Sequence, residues 1–195
     1  MKVSVMTGKL KGIDAINTNT LTNEFCQKMQ KTDSICKKCY SQKMLEGIRK
    51  NCAPAWQRNS DDLSGGLIPP HMLPSIYTDV FRFNGHGELI NDIHFQNIIM
   101  IARKNPNTFF VLWTKRKPII NRVLKTWVLP KNLSLIFSNP KIDKPMKSVP
   151  RHFDKVFNNV SKGSDYKINC HEKCRDCMLC YTRNDVTQIL EEVKG

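Results

Sequence analysis

Strand-like and helix-like hydrophobic periods alternate through the middle of this chain, and that alternation limits its fold more than any other feature. "DVFRF" (79–83) is a short apolar run with a strand's composition. "NDIHFQNIIMIARKN" follows, with Ile93, Phe95, Ile98, Ile99 and Ala102 on one helical face. "TFFVLWT" (108–114) is a buried-strand sequence. "KPIINRVLKTW" is a helix with Pro118 in its first turn and Ile119, Ile120, Val123, Leu124 and Trp127 on one side. "LSLIF" (133–137) and the weaker "DKVFNNV" (154–160) are further strands. Upstream, "GIDAINT" (12–18) is expected as a short first strand, and "KKCYSQKMLEGIRKN" as a helix through Tyr40, Met44, Leu45 and Ile48. "SDDLSGGLIPPHMLP" is expected as a loop from its Gly and Pro content. "RNDVTQILEEV" is expected to close the chain as a helix, with Val186, Ile189, Leu190 and Val193 on one face.

Strands separated by helices imply βαβ units and a parallel sheet. The strands are too few for an eight-fold barrel. The expected fold is therefore α/β, a partial (β/α) barrel or a small parallel sheet, with cysteine-rich metal-binding loops at the strand C-terminal ends, where ligands of such sheets gather. Residues 1–165 are expected to form the core with an N-terminal cysteine loop. Residues 166–195 are expected to form a cysteine-rich segment and the closing helix, packed on that core.

The eight cysteines fall in two groups. Cys26, Cys36 and Cys39 form C-x9-C-x2-C after the first strand, with Cys52 one helix later. Cys170, Cys174, Cys177 and Cys180 form C-x3-C-x2-C-x2-C within eleven residues. No apolar signal-peptide core opens the chain, so these are expected as thiols in a reducing compartment, the cytoplasm, where such clusters bind metal rather than form disulfides. Short gaps let successive sulfurs reach different corners of a [4Fe-4S] cluster, and the ferredoxin run has mirrored gaps. Its fourth cysteine serves another cluster, which leaves one cluster or two open here. Tetrahedral zinc is the rival, although zinc sites usually separate two pairs by a longer loop. Three cysteines in the first group would leave one iron open to a small molecule. Cys52 could complete that site, but a small core residue is its simpler reading. Cys36 and Cys39 sharing one metal with the second group is a further alternative.

The net charge is +14, from 31 basic and 17 acidic residues, and favours polyanionic partners such as nucleic acid. Only "WTKRKP" (113–118) concentrates the basic residues, and Lys115, Arg116 and Lys117 could meet phosphates or simply be solvated. No stretch approaches the roughly 18 apolar residues of a membrane span. A Walker loop, G-x-S-x-G, H-E-x-x-H and the dinucleotide glycine fingerprint are all absent, so hydrolase, kinase and dehydrogenase readings lack support. Arg82, His86 and Glu88 are expected around one strand end, with Thr114 with Lys115, and Asn139, ending neighbouring strands. They could bind an anion and move a proton, or form an ordinary polar turn. His171 is expected as a bystander, and Trp56, Trp113 and Trp127 as core.

Four pieces, "C-x9-CKKCY", "VFRFNGHGEL", "IARKNPNTFFVLWTK" and the closing "C-x3-C-x2-C-x2-CY", resemble the phage gene product eighty-eight family and span most of the chain in order. That resemblance implies a bacteriophage, hence viral, origin. A wider similarity is to radical S-adenosylmethionine enzymes, which place three cysteines in the loop after the first strand of a partial barrel, often with an aromatic residue beside the last, as Tyr40 is here. It implies that Gly87 and Glu88, in "GHGEL" (85–89), contact the cofactor's methionine amine, and that the C-terminal four hold an auxiliary cluster. The first gap departs from that family, nine residues in place of three. Two readings follow. One is an iron–sulfur, radical-SAM-like protein, a redox or radical enzyme on an unknown substrate. The other is a non-catalytic basic module, stapled by iron–sulfur or zinc, that binds nucleic acid or a host protein.

Overall fold

The computed structural model describes residues 1–193. They form a mixed α/β structure around one seven-stranded sheet. The strands are β1 (Val3–Val5), β2 (Asp14–Ile16), β3 (Val80–Phe83), β4 (Phe109–Thr114), β5 (Leu133–Ile142), β6 (Lys155–Val160) and β7 (Gln188–Glu192). They lie side by side in sequence order. β1 is antiparallel to β2, and every later pair is parallel. A parallel neighbour requires a return connection from one end of the sheet to the other. Helices α3 (Ala53–Gly65), α4 (Asp92–Lys104) and α5 (Lys117–Val123) supply three of these returns, while α1 (Glu24–Gln30) and α2 (Tyr40–Glu46) lie in the long excursion after β2. Among the described residues no helix is long and apolar enough to cross a membrane.

Alternation along the strands sorts two cores. Phe81, Phe83, Phe110, Leu112, Leu133, Leu135 and Phe137 meet the buried faces of α3, α4 and α5. The rings of Phe83 and Phe110 stack with centroids 5.4 Å apart. Their sequence neighbours Val80, Val111, Trp113 and Ile136 point to the opposite face and pack against Cys180, Tyr181 and Ile189. That second face is covered by the connection between β6 and β7, which contains the single turn α6 (Cys174–Cys177).

Two sequence expectations are corrected here. The closing segment is strand β7, not a helix. Parallel β6 offers it a full ladder from Val156↔Gln188 to Val160↔Glu192. Ile189 is then buried against the cysteine-bearing face, a tertiary gain that overrides the helical spacing of the apolar residues. The outer edge of β7 is also occupied: Asn169 and Cys170 donate backbone N–H groups to Leu190 O, and Asn169 Oδ1 accepts from Leu190 N at 2.8 Å. The segment expected as a loop from Ser60 is helical through Gly65. The buried face of α3 is half polar, which hides its period: Trp56 and Leu63 alternate with Asn59 and Ser60. Asn59 donates to Lys2 O and Asn17 O, and Ser60 Oγ accepts from Asn19 N. β1 was absent from the sequence reading, being a three-residue edge strand.

Candidate functional site

The loops after β2 and β3 interlock at the C-terminal ends of the strands. Asn84 N donates to Ile16 O, Thr18 N to His86 O, and His86 N to Asn17 Oδ1 at 2.7 Å. The glycines of "NGHGE" follow from this close approach. A Cβ on Gly87 would fall 2.0 Å from Thr18 Oγ1, and its φ of +104° disfavours any side chain. Glu88 is buried, and its carboxylate ties three donors: Thr114 Oγ1 and Leu89 N on Oε1, Lys115 N on Oε2. It therefore laces the end of β3 to the end of β4, with one of roughly four lone-pair positions left over.

This frame positions the first cysteine group. Asn23 caps α1 by accepting from Phe25 N and Cys26 N, and its amide donates to Glu88 O, so Cys26 sits in the first turn beside the Glu88 carboxyl. Cys36 lies in a 3-10 turn (Ile35–Lys38) capped by Ser34 Oγ. Cys39 is the residue before α2. Next to it, Tyr40 stacks on His86 with centroids 5.9 Å apart, and Trp56 covers the other side at 4.6 Å. His86 accepts from Arg49 at Nε2 (3.2 Å), which leaves Nδ1–H to donate to Ser41 Oγ. Burial, with Arg49 and Arg82 nearby, pushes its pKa down to about 3, so it is a neutral structural clamp at physiological pH. Burial lifts the Cys26 thiol far above its ordinary range, with Glu88 and Cys39 adding to the effect and Lys115 opposing it. Burial also lifts Cys36, again against Lys115. Cys26, Cys36 and Cys39 are thus within electrostatic reach of one another, and Cys26 and Cys36 of Glu88 and Lys115.

The basic run is built into this region. Lys115 Nζ donates to Ser138 Oγ at 3.0 Å. Arg116 lies over Phe25 and donates to Leu89 O, and Lys117 lies over Phe137. Asn139 is consumed by Lys144 O and Asn158. Cys52 ends the turn before α3 and is half-buried, not a core residue.

The second cysteine group is not at the strand C-terminal ends, where it was expected. To run parallel to β6, the chain must return from Val160 to the N-terminal end of the strands before Gln188, and the cysteines lie on that return path across the sheet face. Arg175, inside α6, pairs with Asp79 just before β3 at 2.8 Å and lies against Gly12 just before β2. Cys170, Cys174, Met178, Leu179, Cys180 and Tyr181 join the core formed by Val111, Trp113 and Ile136. Burial pushes the Cys180 thiol up to about 12, with Cys170 and Cys174 contributing. Burial also raises Cys170 and Cys174; Glu191 adds to the rise at Cys170, while Lys9 opposes it at both and Arg82 at Cys174. Lys9 Nζ donates to Cys170 Sγ at 3.2 Å and pairs with Glu191. Arg82 was expected with His86 and Glu88, but strand alternation sends it to this other face, over the Trp113 ring at 3.8 Å. The involvement of Lys9, Arg82 and Lys155 escaped the sequence reading; none lies within ten residues of the cysteines concerned. His171 is exposed and approaches Glu172 at 3.9 Å.

Among the described residues no three His, Cys, Asp or Glu side chains converge closely enough to hold a single metal ion. A cubane cluster asks for a different arrangement, with each thiolate on its own iron. Partly buried thiols grouped without a disulfide have the donor chemistry for it, since a bound cation reverses the effect of burial and favours thiolate.

No curated protein and no solved structure matches the chain. A family model, Gene product 88, matches residues 6–186, a span that takes in both cysteine groups and every strand from β2 to β6. On that match the chain belongs to the gene product 88 family of phage proteins.

Proposed function

We propose that the chain is an iron–sulfur protein, radical-SAM-like in arrangement, with one [4Fe-4S] centre on Cys26, Cys36 and Cys39 and a second on Cys170, Cys174, Cys177 and Cys180. One observation carries this: three thiols from α1, the turn after it and the start of α2 lie near one another at the C-terminal ends of parallel strands, two of them beside Glu88 and Lys115 and the third next to the Tyr40–His86 stack. That end is where sheets of this kind hold ligands. The sequential strand order, without a switch point, supports the partial-barrel comparison. When bound, a cluster with three thiolate ligands supplies one iron open to a small molecule, which in the radical enzymes is S-adenosylmethionine. The chain's own residues do the rest. Lys115 lowers the cost of ionising Cys26 and Cys36. The His86 stack fixes Tyr40 and with it Cys39. Gly87 permits the close loop packing that presents Glu88, whose remaining lone pair could meet an ammonium.

The test is iron, acid-labile sulfide and zinc per chain after purification without oxygen. About eight irons with equal sulfide are expected for two cubanes. Cys36→Ala should remove about half the iron, and unchanged iron would sink the first centre. A change in the reduced cluster's paramagnetic spectrum on adding S-adenosylmethionine would support the open iron; no change would remove that part of the reading. Zinc without sulfide would leave a zinc-stapled basic module, whose +14 charge predicts nucleic-acid binding that weakens steeply with salt.

A further inference from the structure

The cations around the second cysteine group are not equally satisfied. Lys9 has Glu191 at 2.5 Å. Lys155 donates to Asn184 Oδ1 and Val186 O, at 2.7 and 2.6 Å. Arg82 has no carboxylate within ion-pair distance among the described residues. It rises from the middle of β3 between Phe81 and Phe83, which both face the helices. Its guanidinium lies on Trp113, its Nε is buried without a partner, and Nη1 reaches Tyr181 Oη at 3.5 Å, the outer limit of a hydrogen bond. Trp113, under the guanidinium, packs in one cluster with Val80, Val111 and Ile136 from the strands and Cys174, Cys180 and Tyr181 from the covering segment. A guanidinium cannot shed its proton to escape such surroundings. A partly buried cation without a counter-ion is stabilised by an anion brought close to it. Cys174 and Cys180, in the same cluster as Trp113, would become anionic on taking a metal.

We propose that Arg82 is the counter-ion of an anionic four-thiolate centre on Cys170, Cys174, Cys177 and Cys180, an inference that rests on the second centre proposed for this chain. Four thiolates on a [4Fe-4S] core in its 2+ state leave a net charge of about −2. Lys9 sits at one end of the run, and its charge is already shared with Glu191. Lys155 and Arg82 are the cations left to balance the remainder; Lys155 is occupied by Asn184 Oδ1 and Val186 O, whereas Arg82 keeps a buried N–H without a partner. Reduction of a cluster adds one more negative charge, so Arg82 holds the potential up, and its removal lowers it.

The experiment compares Arg82→Gln and Arg82→Lys with the parent in the full-length Cys36→Ala chain, which isolates the second centre. Each is loaded anaerobically with iron and sulfide and titrated by paramagnetic resonance. At the poise where the parent is half reduced, R82Q should show a reduced-to-oxidised ratio about tenfold lower, equivalent to 59 mV for one electron. R82K should stay within about threefold, showing that charge and not packing is read. Equal ratios in all three chains would overturn the proposal and leave the second centre standing. Uptake of zinc without sulfide would overturn the proposal, because no cluster charge would be there for Arg82 to balance. A parent that takes up neither metal would remove the second centre itself, and Arg82's role with it.

Discussion

The two cysteine groups make an instructive pair because the fold treats them in opposite ways. The first hangs on caps and loop ties at one end of the sheet: Asn23 on Cys26, Ser34 on Cys36, and the His86 clamp behind Cys39. The second lies flat on a sheet face, packed among Trp113, Tyr181 and Ile189, toward the other end. A carboxylate and a cation, Glu88 and Lys115, flank the first. Cations dominate around the second, with Lys9, Arg82 and Lys155 against Glu191. Hydrogen bonds therefore place the first group, and apolar packing places the second. Substitutions in the strand-end loops should disturb the first while leaving the second in place, and that asymmetry can be broken experimentally.

The largest effect is expected from Gly87→Ala. The new Cβ meets Thr18 Oγ1 and Thr18 O while the backbone stays at positive φ. Strain and overpacking together should cost about 3 kcal/mol or more, read by denaturant unfolding. A variant within about 0.5 kcal/mol of the parent would show that the loops do not interlock as described. Glu88→Ala is next. It orphans Leu89 N, Lys115 N and the Thr114 hydroxyl, for about 2–3 kcal/mol. Alkylation of the metal-free variant, mapped by mass spectrometry, should accelerate at Cys26 and Cys36 and not at Cys174 or Cys180. Equal acceleration in both groups would dissolve the contrast between them.

The smallest effect per step is a pH slope. His86 and His94 both have folded pKa values lowered to about 3, His86 by burial with Arg49 and Arg82, His94 by burial alone. Their unfolded forms take up protons below about 6.5 and the folded forms do not, so stability declines as pH falls from about 6.5 toward 3. Each contributes about 1.4 kcal/mol per pH unit in that window. A His86→Asn variant should show a shallower acid slope than the parent. An identical slope would place protonated His86 inside the fold and contradict the neutral clamp.

The legible part of this molecule was whatever follows a local period. β3, β4, β5, α4 and α5 fall where apolar spacing put them, because each buries one face against a continuous core. α3 escaped because Asn59 and Ser60 occupy its buried face, held by hydrogen bonds to Lys2, Asn17 and Asn19. β7 escaped because Val186, Ile189, Leu190 and Val193 fit a helical period as well as a strand, and only the waiting edge of β6 decides. Spacing marked the cysteines as candidates, and "NGHGE" entered through its polar residues and the resemblance; the structure brings Cys26 beside Glu88. Arg82 was read at the wrong site, since its neighbours along the chain suggested one end of the sheet and its side of the strand delivered it to the other face.

Asn169 and Cys170 do double duty that reaches beyond the cysteines. By bonding to Leu190 they cover the outer edge of β7, the last strand of an open sheet. If the cysteine-bearing segment lifts away, that row of backbone groups becomes a template for pairing with another copy. The thiol-rich crossover is thus also the sheet's guard against self-association, so a chain that has lost its hold on residues 168–180 should be recognised first by its tendency to form aggregates.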